Sequence, residues 1–313
     1  MQPILVTGAS GFAGSHLLDQ LSAAGEEAVA WQRPGGLPCA ARPGVTWEPM
    51  ELLDRARVRE AVRRLQPRIV YHCAGAAHVG MSWTTTEPTF AVNVRGTHYL
   101  VEALRESGAP ARLLIPSSAQ VYAASDEPLR EDHPLRPASP YGLSKLAQEM
   151  VGLIAPEPLQ TVVARAFNHL GPRQAPSFAA SDFARRIADI EAGRWGPEIM
   201  VGNLDARRDL TDVRDVVRAY RAMAERAAPG TVYNVCSGRA VAIGDLLDLL
   251  LSRSKVAIRV SVDHTRYRPN DQATVVGSAE RIKNDLGWTP TIPIEQTLDD
   301  LLEYWRGSSQ RAS

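Results

Sequence analysis

Lysine is nearly missing from this 313-residue chain: Lys145, Lys255 and Lys283 are the only three among 35 basic residues. Against that background the pairing of Tyr141 with Lys145, in Ser139-Pro140-Tyr141-Gly142-Leu143-Ser144-Lys145, stands out from composition. Net charge is absent as well, because 35 acidic residues balance the basic ones. A chain without a charge excess has no electrostatic means of gathering nucleic acid or an anionic membrane surface. Cysteine is scarce: Cys39, Cys73 and Cys236 lie far apart, with no Cys-x-x-Cys and no Cys/His ligand spacing. That excludes a disulfide framework and a structural metal site, and a reduced cytoplasmic protein is expected. No apolar run is long enough to span a membrane, and Met1 to Gly8 lacks the basic start and apolar length of a signal peptide. Internal repeats and long low-complexity tracts are missing too.

What is present is alternation. Short apolar runs at Ile4 to Thr7, Glu27 to Trp31, Arg68 to Cys73, Arg112 to Pro116 and Gln160 to Arg165 are separated by amphipathic stretches at Ala13 to Ala24, Asp54 to Leu65, Asn93 to Glu106 and Tyr141 to Ile154. Such alternation predicts parallel strands joined by crossover helices. Strands apolar throughout, such as Ile69-Val70-Tyr71, suit a sheet covered on both faces, so the expectation is a doubly wound α/β domain. After Arg165 the pattern is less regular. Helices are expected at Ser181 to Ala192, Val213 to Ala227, Ile243 to Leu251 and Ile294 to Trp305, a strand at Val232 to Cys236, a turn-rich stretch from Val256 to Thr291, and a frayed polar tail from Gly307. This divides the chain into a nucleotide-binding domain (1–166 with about 206–236) and a smaller region (about 167–205 and 237–313).

The first strand runs straight into Gly8-Ala9-Ser10-Gly11-Phe12-Ala13-Gly14 and then a helix. Glycines at a strand-to-helix turn let the backbone approach a pyrophosphate, which rests on main-chain amides at the positive end of the helix dipole. The spacing is Gly-x-x-Gly-x-x-Gly, which only approximates the usual dinucleotide fingerprint. A cofactor without a 2′-phosphate usually finds an acid at the end of the second strand; here Ala30-Trp31-Gln32-Arg33 has none. Arg33 can pair with a 2′-phosphate, so NADP(H) is favoured and NAD(H) remains an alternative.

Residues four apart share a helix face, Ser139 can cap, and Pro140 suits a first helical turn. Tyr141 and Lys145 are thereby delivered to one place. A phenol of pKa ~10 is a poor proton donor and acceptor at neutral pH, and a nearby ammonium favours its phenolate. The spacing predicts an acid/base tyrosine.

Taken with Tyr141/Lys145 and the glycine loop, five further segments resemble the extended short-chain dehydrogenase/reductase family that acts on nucleotide sugars. They are His72-Cys73-Ala74-Gly75, Asn93-Val94-Arg95-Gly96-Thr97, Ser117-Ser118-Ala119-Gln120-Val121-Tyr122, Arg208-Asp209-Leu210-Thr211-Asp212-Val213-Arg214-Asp215 and Tyr233-Asn234-Val235-Cys236-Ser237-Gly238. The resemblance covers nearly the whole length. It implies a Rossmann-type sheet with a C-terminal substrate region, catalysis by Ser118, Tyr141 and Lys145, and Ser117 as the neighbouring hydroxyl. It implies cofactor contacts at Gly8, Ser10, Gly11, Phe12, Ala13, Gly14, Arg33, Glu51, Leu52, Ala74, Gly75, Ala76, Asn93, Ser117, Tyr141 and Lys145. It also implies a homodimer through the helices containing Asn93 to Glu106 and Tyr141 to Ile154. Ala123 follows Val121-Tyr122 where the family usually has glycine.

The family passes a hydride at C4 of a hexose, and the residues after Ser118 narrow the reaction. Sugar 4,6-dehydratases carry carboxylates there to remove the C5 proton and expel the C6 hydroxyl; Ala119 and Gln120 can do neither. No Cys/His pair for C3/C5 epimerisation is evident. The run Ala164-Arg165-Ala166-Phe167-Asn168-His169-Leu170-Gly171-Pro172-Arg173-Gln174 and the helix with Arg185-Arg186 resemble the GDP-hexose branch, above all GDP-6-deoxy-4-keto-mannose reductases. By that resemblance Ser118, Asn168, Arg208 and Arg268 would bind the substrate, the guanidinium groups matching phosphate oxygens two by two. Reduction of a GDP-4-keto-6-deoxyhexose is the expected activity. A 4-epimerase of a nucleotide hexose is the alternative, with a 4,6-dehydratase or a non-catalytic dinucleotide sensor behind it.

Overall fold

The computed structural model describes residues 2–36, 40–263 and 272–311. Its first half runs β1 (Ile4–Thr7), α1 (Phe12–Ala23), β2 (Ala28–Gln32), β3 (Val45–Pro49), α2 (Arg55–Leu65), β4 (Ile69–His72), α3 (Thr86–Phe90), α4 (Thr97–Glu106), β5 (Ala111–Ser118), α5 (Pro140–Leu153) and β6 (Leu159–Ala166). The second half holds β7 (Asn168–Leu170), α6 (Ala179–Glu191), β8 (Glu198–Val201), β9 (Arg207–Asp212), α7 (Val213–Arg226), β10 (Val232–Val235), β11 (Ala240–Ala242) and α8 (Ile243–Leu251). It continues with β12 (Arg259–Val262), β13 (Thr274–Val275), α9 (Glu280–Leu286) and α10 (Ile294–Arg311).

Seven strands form one sheet in the order β10-β6-β5-β4-β1-β2-β3, and every pairing in it is parallel. The chain moves outward from β1 to β3, then returns to β4 on the other side of β1. That reversal opens a crevice at the carboxyl ends of β1 and β4, where α/β sheets bind ligands. One face is covered by α1, α7, α9 and the segment just after α9 through Leu17, Leu21, Val216, Tyr220, Ile282 and Trp288. The other is covered by α2 and α4 through Val58, Val62, Leu100 and Leu104. The doubly wound expectation therefore holds, and each fully buried aliphatic side chain contributes roughly 1.5–3 kcal/mol.

Beyond β6 the chain builds smaller sheets: β11-β9-β13 with β7 on β9, and β12 on β8. A separate apolar core beneath them joins α6, α8 and α10 through Phe183, Ile187, Leu246, Leu250, Leu298 and Leu302.

Three expectations are corrected. The 256–291 stretch, expected to be turn-rich, contains β12, β13 and α9, with residues 264–271 outside the described ones. The helix expected to start at Asn93 is preceded by α3, with a π-type turn at Ala91–Gly96 between α3 and α4. The tail from Gly307 is helical through Arg311 because α6 and the loop after it hold it: Ser309 Oγ donates to Asp189 Oδ1 at 3.1 Å, and Arg194 Nη1 donates to the Ser309 carbonyl at 3.0 Å. Among the described residues no helix is long and apolar enough to cross a membrane.

Candidate active site

Gly8 has φ +62°, a left-handed backbone that favours glycine, and a Cβ placed there would lie 2.5 Å from Ala74 N. The absence of a side chain lets the tip of β1 lie against the tip of β4, where Ala74 N also donates to Thr7 Oγ1 at 3.2 Å. Gly14 packs its helix onto the loop in the same way, since a Cβ would collide with the Gly8 carbonyl. Gly11 is the N-cap of α1; Ser10 and Gly11 are exposed, while Phe12 and Ala13 are half-buried. The loop therefore presents main-chain amides and the positive end of α1 at the mouth of the crevice, which fits a dinucleotide pyrophosphate.

The other residues expected at the cofactor fall into two groups. Arg33 is exposed just past β2, in a tight turn closed by Gly36 N on its carbonyl at 3.0 Å. Glu51 follows β3 and accepts from Leu53 N at 3.0 Å, with Leu52 buried beside α2. Ala74, Gly75 and Ala76 form the loop after β4. Asn93 is fully buried and braces that loop: its Oδ1 accepts from Ala76 N at 2.8 Å, and its Nδ2 donates to the Ala76 carbonyl at 3.2 Å and to Ser144 Oγ at 2.9 Å. Its side chain thus ties the loop after β4 to α5.

α5 begins as its sequence predicts. Ser139 caps it by accepting from Gly142 N at 3.1 Å, and Pro140 occupies the first turn. Tyr141 and Lys145 then lie one turn apart against the end of β5, 8% and 7% exposed. The two serines ending β5 part company. Ser117 Oγ donates to the buried carboxylate of Glu149, so its hydroxyl is committed to that group. Ser118 stands beside the Tyr141 phenol, whose pKa it pulls down against burial, and its hydroxyl accepts from Gln120 N at 3.2 Å. Gln120 is held there by its main chain, and no carboxylate follows Ser118 at 119 or 120. At Ala123, where the family usually has glycine, the N–H donates to the Pro134 carbonyl at 2.9 Å.

The electrostatics differ from the simple expectation. Burial pushes the Tyr141 phenol above its ordinary pKa, opposed by the nearby Ser118 hydroxyl. The Lys145 ammonium, expected to favour phenolate, instead donates to the Pro116 carbonyl and to Gln148 Oε1, both at 2.6 Å. Burial lowers its pKa to about 8 against a smaller opposing pull from Glu149. Tyr141 is thus a protonated phenol at neutral pH, suited to giving a proton. Cys73 is no competitor, because burial pushes its thiol up to about 12.

Sequence reasoning missed the two buried networks that flank α5. One joins Lys145 to Gln148, Thr97, His72 and Thr7. The other joins Ser117, Glu149 and Arg165, with Arg165 Nη2 2.9 Å from Glu149 Oε2 and Nη1 3.1 Å from the Tyr122 hydroxyl, which donates to Asn234 Oδ1 at 2.6 Å. The available signal was the position of Gln148 and Glu149 three and four residues after Lys145, near one helix face.

Of the expected substrate residues, Asn168 is exposed on β7 and Arg208 is half-buried on β9, donating to the Gln272 carbonyl at 2.8 Å. Arg268 lies outside the described residues. Phe12 links the glycine loop to this side, stacking flat on His169 with 5.6 Å between ring centres.

A parallel seven-stranded sheet with this crevice defines a Rossmann-like α/β protein of the extended short-chain dehydrogenase/reductase kind. The chain belongs to the GDP-mannose 4,6 dehydratase family, whose sequence model matches residues 5–301. It is 35% identical over 309 residues, 97% of either chain, to a GDP-6-deoxy-D-mannose reductase of Pseudomonas aeruginosa. The solved structure of RMD from Pseudomonas aeruginosa complexed with NADPH superposes with a TM-score of 0.84 at 33% identity, covering 98% of this chain and 100% of that one. A Thermus thermophilus UDP-glucose 4-epimerase complexed with NAD gives 0.85 at 27% identity, covering 98% and 99%.

Proposed function

We propose that the protein reduces the C4 ketone of a GDP-4-keto-6-deoxyhexose to a GDP-D-rhamnose type product, using NADPH in preference to NADH. The observation that carries this reading is a buried, protonated Tyr141 beside Ser118 with no carboxylate following that serine. Supporting it, the relative at 35% identity is a GDP-6-deoxy-D-mannose reductase.

The Gly8–Gly14 loop, Ala74 to Ala76 and Lys145 hold the dinucleotide, and Arg33 takes its 2′-phosphate. Bound there, the cofactor supplies the hydride. Ser118 orients the ketone oxygen by hydrogen bonding. Tyr141 gives its phenol proton to that oxygen as negative charge develops on it. Lys145 holds the ribose. Dehydration would need a further acid and base, which Ala119 and Gln120 do not provide. Asn168 and Arg208 bind the nucleotide sugar from the region beyond β6. The protein works as a cytoplasmic homodimer through α4 and α5, where Leu143, Met150 and Ile154 stand 49%, 50% and 77% exposed.

Purified protein mixed with GDP-4-keto-6-deoxymannose is expected to consume NADPH, and faster than NADH. Failure to oxidise either cofactor with any nucleotide ketosugar would sink the reading. A 4-epimerase would instead retain bound cofactor through purification and give no net redox change. Arg33→Ser is expected to raise the KM for NADPH about tenfold while leaving that for NADH in place, as loss of a charge-assisted bond predicts.

A further inference from the structure

The hydrogen bonds behind Lys145 can run in only one sense. An ammonium donates and never accepts, so the Gln148 atom 2.6 Å from Lys145 Nζ is the carbonyl Oε1. Gln148 Nε2 then donates to Thr97 Oγ1 at 2.9 Å. Thr97 gives its own proton to the Asn93 carbonyl, which can only accept, at 2.6 Å. Thr97 Oγ1 therefore receives its other bonds, and His72 Nε2, 2.8 Å away, carries the hydrogen. Its Nδ1 accepts from Thr7 Oγ1 at 2.8 Å, and Thr7 accepts from Ala74 N at 3.2 Å. Thr7, His72, Thr97 and Gln148 are each at most 1% exposed. With both ends fixed, no member can turn round without setting buried donor against donor.

We propose that Gln148 is a positioning residue for Lys145, its amide oxygen aimed by Thr97 and His72 so that the ammonium is held in place without being neutralised. The proposal rests on Lys145 as the group that grips the cofactor ribose beside Tyr141. A carboxylate at this position would hold the ammonium equally well but cancel its charge. A glutamine holds it and leaves the charge uncancelled. Two of the three ammonium hydrogens are placed on Pro116 and Gln148, and the third would serve a bound ribose. The surrounding titratable groups preserve that arrangement. From β4, His72 stays neutral, its pKa lowered by burial to about 3, and the Cys73 thiol is pushed up by burial to about 12. On α5 itself, Tyr141 stays protonated, and Glu149 is paired with Arg165 of β6.

The scarcity of lysine makes the test direct. Protein grown with isotopically labelled lysine carries only three side-chain ammonium sites, and Lys145→Arg identifies the relevant signal. Removing the acceptor with Gln148→Met is expected to lower the Lys145 midpoint by about one pH unit, and Gln148→Glu to raise it by about as much. In the reductase assay, kcat of Gln148→Met should fall about tenfold while the KM for the sugar nucleotide stays put, with partial recovery in Gln148→Glu. A midpoint unchanged in both variants, or moved in the same direction by both, overturns the proposal, since a purely structural glutamine would lower stability without opposite shifts. If Gln148→Met does not fold, Gln148→Glu alone decides: an unmoved midpoint overturns it. An inactive wild-type protein would count against the reductase reading, and the lysine titration would still judge Gln148.

Discussion

The two sides of α5 solve the same burial problem in opposite ways. Around Lys145 the partners are neutral: a carbonyl, an amide, two hydroxyls and an uncharged imidazole. Around Glu149 they are ionic, with Arg165 in a bidentate pair and the side chains 5% and 1% exposed. A buried charge that must act on a ligand is left without a counter-ion; one that must hold strands together is cancelled on the spot. Consecutive residues of one helix, Gln148 and Glu149, thus serve the chemistry and the scaffold respectively.

The largest expected effect is on the chemical side. Tyr141→Phe should lower kcat by about a hundred- to ten-thousand-fold with an unchanged melting temperature, because the proton donor is lost and the ring retained. Surviving activity would mean that the Lys145 side is not where the reaction runs. On the scaffold side, Glu149→Gln should destabilise the fold by about 3–5 kcal/mol in chemical denaturation, since Arg165 is left buried without its partner. A loss under about 1 kcal/mol, the range of exposed pairs, would erase the contrast.

The two serines carry the comparison into adjacent positions. Ser118→Ala should appear in kcat, and Ser117→Ala in a stability loss of about 1–3 kcal/mol as Glu149 loses a bond. The smallest effect is a pH dependence. His72 and His16 have folded pKa values of about 3 and about 4, lowered mainly by burial from 6.5. Above 6.5 neither the folded nor the unfolded histidine binds a proton. As pH falls from 6.5 toward 4 the unfolded chain takes up protons that the native one refuses, so stability falls. Lys145, lowered from 10.5 to about 8, acts with the same sign: stability rises as pH climbs from 8 to 10.5. Denaturation midpoints should drop from pH 7 to pH 5, and His16→Gln should flatten part of that slope.

The parts legible in sequence were those fixed by local rules. β1, the glycine loop and α1, the Ser139 cap and α5, and α8 at Ile243–Leu251 all follow from periodicity, caps and turn glycines. β3 escaped because Val45–Pro49 is an edge strand, half-exposed and ending in proline, without the apolar run of its neighbours. The short strands β7, β9, β11 and β13 exist through pairing with one another, which no local window contains. At the site, Ser118 is separated from Ser117 only by Glu149, 32 residues beyond Ser117. A lowered phenol does not follow from the Tyr141/Lys145 spacing, because burial of Tyr141, which no local window shows, pushes its pKa up. For Gln148 the one sequence signal is its place three residues after Lys145, and its partners Thr97 and His72 come from elsewhere in the chain.

The order of the central sheet has a consequence for how the chain is made. Ser118, Tyr141 and Lys145 all precede the end of β6, yet β6 is covered on its outer side only by β10, which arrives at Val232. A chain stopped before that point would possess every proposed catalytic group and still present Leu159–Ala166, buried along nearly its whole length in the intact protein, as an open and sticky edge. Such a fragment should self-associate through that strand, and the nascent protein is exposed to the same hazard until β10 emerges and pairs.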